Sequence, residues 1–217
     1  MVFGARELPS PDFEPTVFVV DDDEAVRESL RWLVDSVGMA VETYGSAQEF
    51  LARVGVDRPG CLVLDVRMPG MSGLELQQEL AARKVELPII MITGYADVPT
   101  AVRALTRGAL DFIEKPFSRQ LLLDRIRRAV VIDANGRRAQ ADRADVAARV
   151  ATLTPREREV MQMVVAGRTN KVMAMNLGIC EKTIEVHRAH VMRKMKVESL
   201  AELVRLAALL ESGTPGR

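Results

Sequence analysis

Five short apolar runs recur within residues 16–130: TVFVV (16–20), AVETY (40–44), CLVLD (61–65), PIIMIT (88–93) and LDFIEK (110–115). Most are continuously hydrophobic, the pattern of strands buried on both faces. Between them, residues 25–37, 46–54, 73–84 and 97–107 carry apolar side chains at helical spacing, as in Val26, Leu30, Leu33, Val34 and Val37. This alternation predicts one α/β domain, a doubly wound five-stranded parallel sheet covered by helices on both faces. Ligands of such sheets sit beyond the carboxyl ends of the strands, near the switch in strand order.

Those ends carry polar groups. The first run ends in Asp21-Asp22, the third in Asp65, the fourth in Thr93 and the fifth in Lys115. Adjacent carboxylates repel one another and lose hydration on burial, so their pairing needs a compensating charge. A divalent cation supplies it, and Mg²⁺ prefers a few carboxylate oxygens, a carbonyl and waters. Asp23 and Glu24 read as a solvated helix start with no metal role. Taken singly, Thr93 is a β-former at a strand end, Phe112 is core, and Gly70 and Gly73 are turn residues. Four polar groups on one sheet edge outweigh those separate readings.

After Phe117 a helix begins, with Leu121, Leu122, Ile126 and Ala129 on one face. It leads into a polar, Ala- and Arg-rich stretch read as an extended solvated helix rather than a flexible linker, with Asn135-Gly136 as its strong breaker. From Leu153 the pattern is wholly helical, with Thr154 as N-cap, Pro155 at the first helical position and turns at Gly167 and Gly178. Four short helices there predict a small all-α domain. The expected division is a disordered arm at 1–15, the α/β domain at 16–130, a helical linker at 131–150 and the all-α domain at 151–213.

Charge separates the two halves. Residues 1–130 hold 15 Lys and Arg against 20 Asp and Glu, whereas residues 151–217 hold 11 against 7. The excess of four positive charges in the second half is weak evidence for nucleic acid by itself. No apolar stretch approaches the roughly 18 residues of a membrane span, and the first residues lack the apolar core of a signal peptide. Cys61 and Cys180 fit no metal-ligand spacing and read as cytosolic thiols. Cys61 reads as packing. Cys180 lies in a turn with nothing near it in sequence to lower its pKa.

VVDDDE, LDVRMPGMSG, ITGYADVP and DFIEKPF together resemble the receiver domain of two-component response regulators, a flavodoxin-like fold. The C-terminal LTPREREVMQMVVAGRTNKVMAMNLGICEKTIEVHRAHVMRKM resembles the LuxR/NarL-type helix-turn-helix. The combination looks like a transcriptional response regulator of the FixJ type. That resemblance implies that Asp65 accepts a phosphoryl group from a sensor histidine kinase. It also implies that Asp21, Asp22, Asp65 and the Arg67 backbone carbonyl hold Mg²⁺. Lys115 would supply a second cation, aimed by a cis bond to Pro116. Thr93 would donate its hydroxyl to the phosphoryl group, and Phe112 would swing inward behind it.

In a helix-turn-helix the second helix enters the major groove, here at about 182–196. Ile184, His187, Val191 and Met195 share its inward face, while Lys182, Glu185, Arg188 and Met192 or Arg193 point outward. His187 is therefore a packed or phosphate-facing residue rather than a catalyst. Asn170 and Lys171 suit phosphate contacts. Arg188 suits guanine, and Glu185 either accepts from cytosine or tunes solubility. Thr183 and Lys194 complete the expected DNA-binding set. Val172, Met173 and Met175 depart from residues frequent in the family there.

The expected function is phosphorylation-dependent DNA binding in the cytoplasm, away from membranes. The protein would accept and slowly hydrolyse its own aspartyl-phosphate without being an enzyme. It would act as a homodimer on promoter DNA, with RNA polymerase as a further partner. Dimerisation is expected through the surface carrying Val98, Val102, Arg103, Arg107, Asp111 and Glu114. One rival is an Mg²⁺-dependent aspartyl-phosphate hydrolase, disfavoured because Arg67 stands where those enzymes carry a second Asp. The other is a phosphorylation-independent DNA-binding regulator, disfavoured by the retention of Asp21, Asp22, Asp65, Thr93 and Lys115.

Overall fold

Parallel pairing of five short strands organises the first half of the chain. In the computed structural model, which describes residues 14–53, 58–95 and 97–211, the first half runs β1 (Thr16–Val20), α1 (Glu24–Asp35), β2 (Ala40–Tyr44), α2 (Ala47–Arg53), β3 (Gly60–Asp65), α3 (Gly73–Ala82), β4 (Ile89–Thr93), α4 (Val98–Thr106), β5 (Asp111–Glu114) and the start of α5 (Arg119–Ala151). Most of the expected N-terminal arm, residues 1–13, lies outside the described residues. The strand order is β2-β1-β3-β4-β5, and every pairing is parallel. The order reverses between β1 and β3, which sets the ligand crevice beyond their carboxyl ends.

The pleat distributes the apolar runs between two cores. Phe18, Val20, Leu62, Leu64 and Met91 face Phe50, Leu76 and Ala104 of α2, α3 and α4. Val17, Val19, Cys61, Val63, Ile90 and Ile92 face Leu30 and Val34 of α1 and Leu122, Ile126 and Ala129 of α5. Both faces of β1, β3 and β4 are therefore apolar, as their continuous hydrophobic sequences require. Burial in the second core pushes the Cys61 thiol up to about 12, which removes thiolate chemistry and leaves packing.

The chain divides after Gly136 into two compact units. α5 continues through Asn135-Gly136, because one glycine costs a helix only about 1 kcal/mol. Near the end of the first unit, buried Asp133 accepts a hydrogen bond from the Gly60 N–H at 2.9 Å.

The second unit contains the end of α5 followed by α6 (Pro155–Val165), α7 (Asn170–Leu177), α8 (Glu181–Met195) and α9 (Leu200–Glu211). Val146 and Val150 of α5 share a core with Val160, Met173, Ile184, Val191, Met195 and Leu203. Residues 131–150 are thus not only a solvated linker, since Val146 and Val150 near their end pack into the core of the second unit. Thr154 and Glu157 form a reciprocal capping box at the start of α6. Gly178 closes α7 in the left-handed conformation at φ 64°.

Gly60 gives the sheet its tightest steric requirement. Its φ is +144°, and a Cβ there would lie 1.8 Å from the Thr16 carbonyl oxygen. Gly60→Ala must therefore move β3 away from β1. A loss of at least about 2 kcal/mol in urea unfolding followed by far-ultraviolet circular dichroism is expected. Wild-type stability in that variant would show that the β1–β3 register tolerates displacement.

Candidate functional site: an acidic crevice and a helix-turn-helix

Four of the five strand ends each deliver a group to the crevice. Asp21 follows β1, Asp65 ends β3, Thr93 ends β4 and Lys115 follows β5. Asp21, Asp65 and Thr93 are 1%, 6% and 1% exposed. Lys115 Nζ donates to Asp21 Oδ2 at 2.6 Å and to Asp65 Oδ1 at 2.7 Å, so one ammonium bridges two buried carboxylates. The Lys115–Pro116 peptide is cis, and the Lys115 N–H donates to the Thr93 carbonyl at 2.7 Å.

The other carboxylate oxygens have backbone donors. Asp21 Oδ1 accepts from the Asp23 N–H at 2.9 Å, and Asp65 Oδ2 from the Arg67 N–H at 2.7 Å. Burial raises the Asp21 carboxyl above its ordinary value, against the pull of Lys115 and the Asp23 N–H. Burial also works to lower the Lys115 ammonium, but its bonds to Asp21 and Asp65 outweigh that and leave it above its ordinary value.

Among the described residues, no three His, Cys, Asp or Glu side chains stand together as a ready metal-ligand group. Asp22 is exposed beside the crevice, and Lys115 lies between the other two carboxylates. The residues nevertheless fit a hard divalent ion. Two buried carboxylate oxygens already converge on one cationic centre. Both are hard oxygen donors, the kind that suits Mg²⁺.

Several members of this crevice lay beyond sequence reasoning. Arg27 Nη1 donates to the Asp21 carbonyl at 2.7 Å, tying α1 to the end of β1. The Arg67 guanidinium, considered above only for its backbone carbonyl, stacks 4.6 Å from the centroid of the Tyr95 ring. Thr93 Oγ1 donates to the Tyr95 carbonyl at 3.2 Å and accepts from the Tyr95 N–H at 3.3 Å. Phe112 is half-buried against the core that holds Met91 and Ala104. Gly73 is not a turn residue. It is the first residue of α3, and a Cβ there would lie 2.2 Å from the Asp65 carbonyl oxygen. Its small size lets the start of α3 close on the end of β3.

The second unit builds a helix-turn-helix from α7 and α8. Ile184, Val191 and Met195 of α8 are buried, and Met192 also packs on that core. Lys182, Glu185, Val186, Ala189 and Arg193 form the exposed stripe. Val186 was not anticipated, yet it is 49% exposed. Arg188 is half-buried, and its Nη1 donates to Asn170 Oδ1 at 2.7 Å, joining α8 to α7. Lys171 is exposed at the start of α7, and His187 is half-buried on α8.

Lys194 has a different setting from the expected DNA contact. Its Nζ pairs with Glu157 Oε2 at 2.6 Å and donates to the Thr152 carbonyl at 3.1 Å. Cys180, at the N-cap of α8, does have a group that lowers its pKa: the Thr183 hydroxyl, 3.1 Å from its sulfur.

Comparison with known proteins follows the same division. A model of the response regulator receiver domain matches residues 17–127, and a model of bacterial regulatory proteins of the luxR family matches residues 151–207. Transcriptional regulatory protein FixJ of Azorhizobium caulinodans is 50% identical over 194 residues, covering 89% of this chain and 92% of that protein. Nodulation protein W of Bradyrhizobium diazoefficiens is 47% identical over 194 residues, covering 89% and 86%. A low-resolution structure of the response regulator StyR aligns with a TM-score of 0.82 at 47% identity, covering 90% of this chain and 98% of that one. Full-length FixJ from B. japonicum aligns with a TM-score of 0.57 at 44% identity, covering 93% and 99%. The chain belongs to the response-regulator family, carries a LuxR-type DNA-binding domain, and is a two-component transcriptional regulator.

Glu157 gives the second unit a pH signature. Its bond to Lys194 and the Thr154 N–H hold its carboxyl down at about 2, against 4.5 for an ordinary glutamate. A depressed carboxylate stabilises the fold above its unfolded pKa, and that stability is lost as pH falls through the folded value. Stability of this unit should therefore hold from neutral pH to about 5 and fall between about 4.5 and 2. Thermal melts across that window should show a flatter profile for Glu157→Gln. Identical acid limbs in the two proteins would remove Glu157 as their cause.

Proposed function

We propose that phosphoryl transfer from a sensor histidine kinase to Asp65 controls promoter binding by this chain. The observation that supports it most is the placement of Asp65, a buried carboxylate at the end of β3 held 2.7 Å from Lys115 Nζ. Asp21, Asp22, Asp65 and the Arg67 carbonyl would hold Mg²⁺, which when bound offsets charge on the phosphoryl oxygens.

An Asp65 carboxylate oxygen attacks phosphorus as the kinase's N–P bond breaks, and the phosphoryl group stays on Asp65 as an acyl-phosphate. Lys115 remains beside it as a fixed counter-charge. The bonds between Thr93 Oγ1 and Tyr95 are long for a hydroxyl, so the new acceptor can draw that hydroxyl away. Phe112, half-buried on the neighbouring strand, then moves into the vacated space. Slow hydrolysis of the acyl-phosphate ends the signal, and the chain has no separate substrate.

The output is a homodimer in the cytoplasm. Val98, Val102 and Leu105 are 77%, 56% and 47% exposed along α4, with Arg103, Arg107, Asp111 and Glu114 nearby in sequence. Apolar groups with charges of both signs suit pairing about a two-fold axis. On DNA, Asn170 and Lys171 meet phosphates, while Lys182, Thr183, Glu185 and Arg188 face base edges. RNA polymerase would be the further partner at the promoter. The receiver is assigned to 16–130 and the DNA-binding domain to 151–213, with the end of 131–150 as its support.

Incubation with acetyl phosphate and Mg²⁺ should add one phosphate and shift sedimentation from monomer to dimer at micromolar concentration. Asp65→Asn should do neither. Labelling of that variant, or full labelling in chelator, would sink the acceptor assignment, and an unphosphorylated protein already dimeric would sink the switch.

At the DNA, Lys171→Ala should weaken binding alike on all sequences and lower the salt slope by about one unit, through one fewer released counterion. A changed sequence preference with an unchanged slope would reassign Lys171 to base reading.

A further inference from the structure

The last carbonyls of α8 have no intrahelical donors and need partners from elsewhere. One partner comes from α5, before the segment that the luxR-family model matches. Arg149 Nη1 donates to the Met195 carbonyl at 2.9 Å. Its Nη2 pairs with Asp145 Oδ2 at 2.6 Å, one turn back on α5, which fixes the aim of the guanidinium. The Arg149 side chain is only 24% exposed. Its neighbours Val146 and Val150 pack in the same core as Val191 and Met195. The adjacent α8 residue is tied as well, through Lys194 to the Thr152 carbonyl and Glu157.

We infer that Arg149 is a positioning residue for DNA reading, anchoring the C-terminal end of α8 so that its exposed stripe keeps a fixed orientation. The inference rests on the DNA-binding function proposed above. Apolar contacts at Ile184, Val191 and Met195 hold α8 against the core but are non-directional. A charge-assisted bond to a helix carbonyl has direction, and a cation at this end also suits the helix dipole. At about 1.5 Å per residue, the Lys182 end of α8 lies on the order of 20 Å from Met195. A tilt of a few degrees at Met195 therefore displaces the reading end by on the order of 1 Å, enough to spoil hydrogen bonds to base edges. Arg149 lies outside the exposed stripe, so its loss leaves the number of neutralised phosphates unchanged.

The test uses the full chain treated with acetyl phosphate and Mg²⁺, and two duplexes: one selected from a random library by the wild-type protein, and a scrambled duplex of equal composition. Arg149→Ala, Arg149→Lys and Asp145→Ala are compared at a temperature where melting curves show each to be folded. Arg149→Ala should lose about tenfold in affinity for the selected duplex, keep its affinity for the scrambled one and keep the wild-type salt slope. Arg149→Lys should recover part of the loss, because one ammonium can still reach a carbonyl. Asp145→Ala should fall between wild type and Arg149→Ala.

Equal losses on both duplexes with a salt slope lower by about one would make Arg149 a phosphate contact and overturn the positioning role. A lower melting temperature with an unchanged ratio between the duplexes would reduce it to a stabiliser of the fold. A wild-type chain that enriches no duplex would overturn the DNA-binding reading, and this inference with it.

Discussion

One ammonium between two buried carboxylates organises the receiver. Lys115, beyond β5, reaches Asp21 beyond β1 and Asp65 at the end of β3, so three strand ends meet at a single charge. Removing either kind of partner would leave an uncompensated charge in a poorly hydrated crevice. Arg27 adds a second tie at the same place by donating to the Asp21 carbonyl. The arrangement depends on close packing behind it: Gly73 admits α3 against the Asp65 carbonyl, and Gly60 admits β3 against Thr16.

The helix-turn-helix is held by polar bonds at its ends as much as by its core. Glu157 caps its own helix through Thr154 and pairs with Lys194 of α8. Arg188 joins α8 to Asn170 of α7, and Arg149 joins the end of α8 to α5. Directional bonds of this kind limit how a short helix can slide on an apolar surface. A reading helix has to present side chains at set positions, so this rigidity bears directly on function.

Legibility in the sequence followed the range of the interactions. The three central strands appeared as continuous apolar runs because burial on both faces is written locally, residue by residue. Asp21, Asp65, Thr93 and Lys115 could be picked out because each ends such a run, and parallel strands bring their ends to one edge. The capping of α6 was equally plain, with Thr154 and Pro155 adjacent. Tyr95 was missed because its contact with Arg67 joins two loops with no shared period. The settings of Lys194 and Cys180 were out of sight for a related reason. Their partners, Glu157 and the Thr183 hydroxyl, become neighbours only through packing or through the geometry of one helical turn.

By itself, then, the sequence determined the class of fold, the edge on which the chemistry gathers and the character of the second half, since these follow from hydrophobic period and from residues next to one another. Only the tertiary structure decided that Lys115 bridges both carboxylates, that Arg188 leans on Asn170, and that the end of α5 belongs to the core of the DNA-binding unit. Each of these joins residues far apart in the chain. A bond of about 3 Å is decided by how helices and strands pack, and no local pattern of residues carries that information.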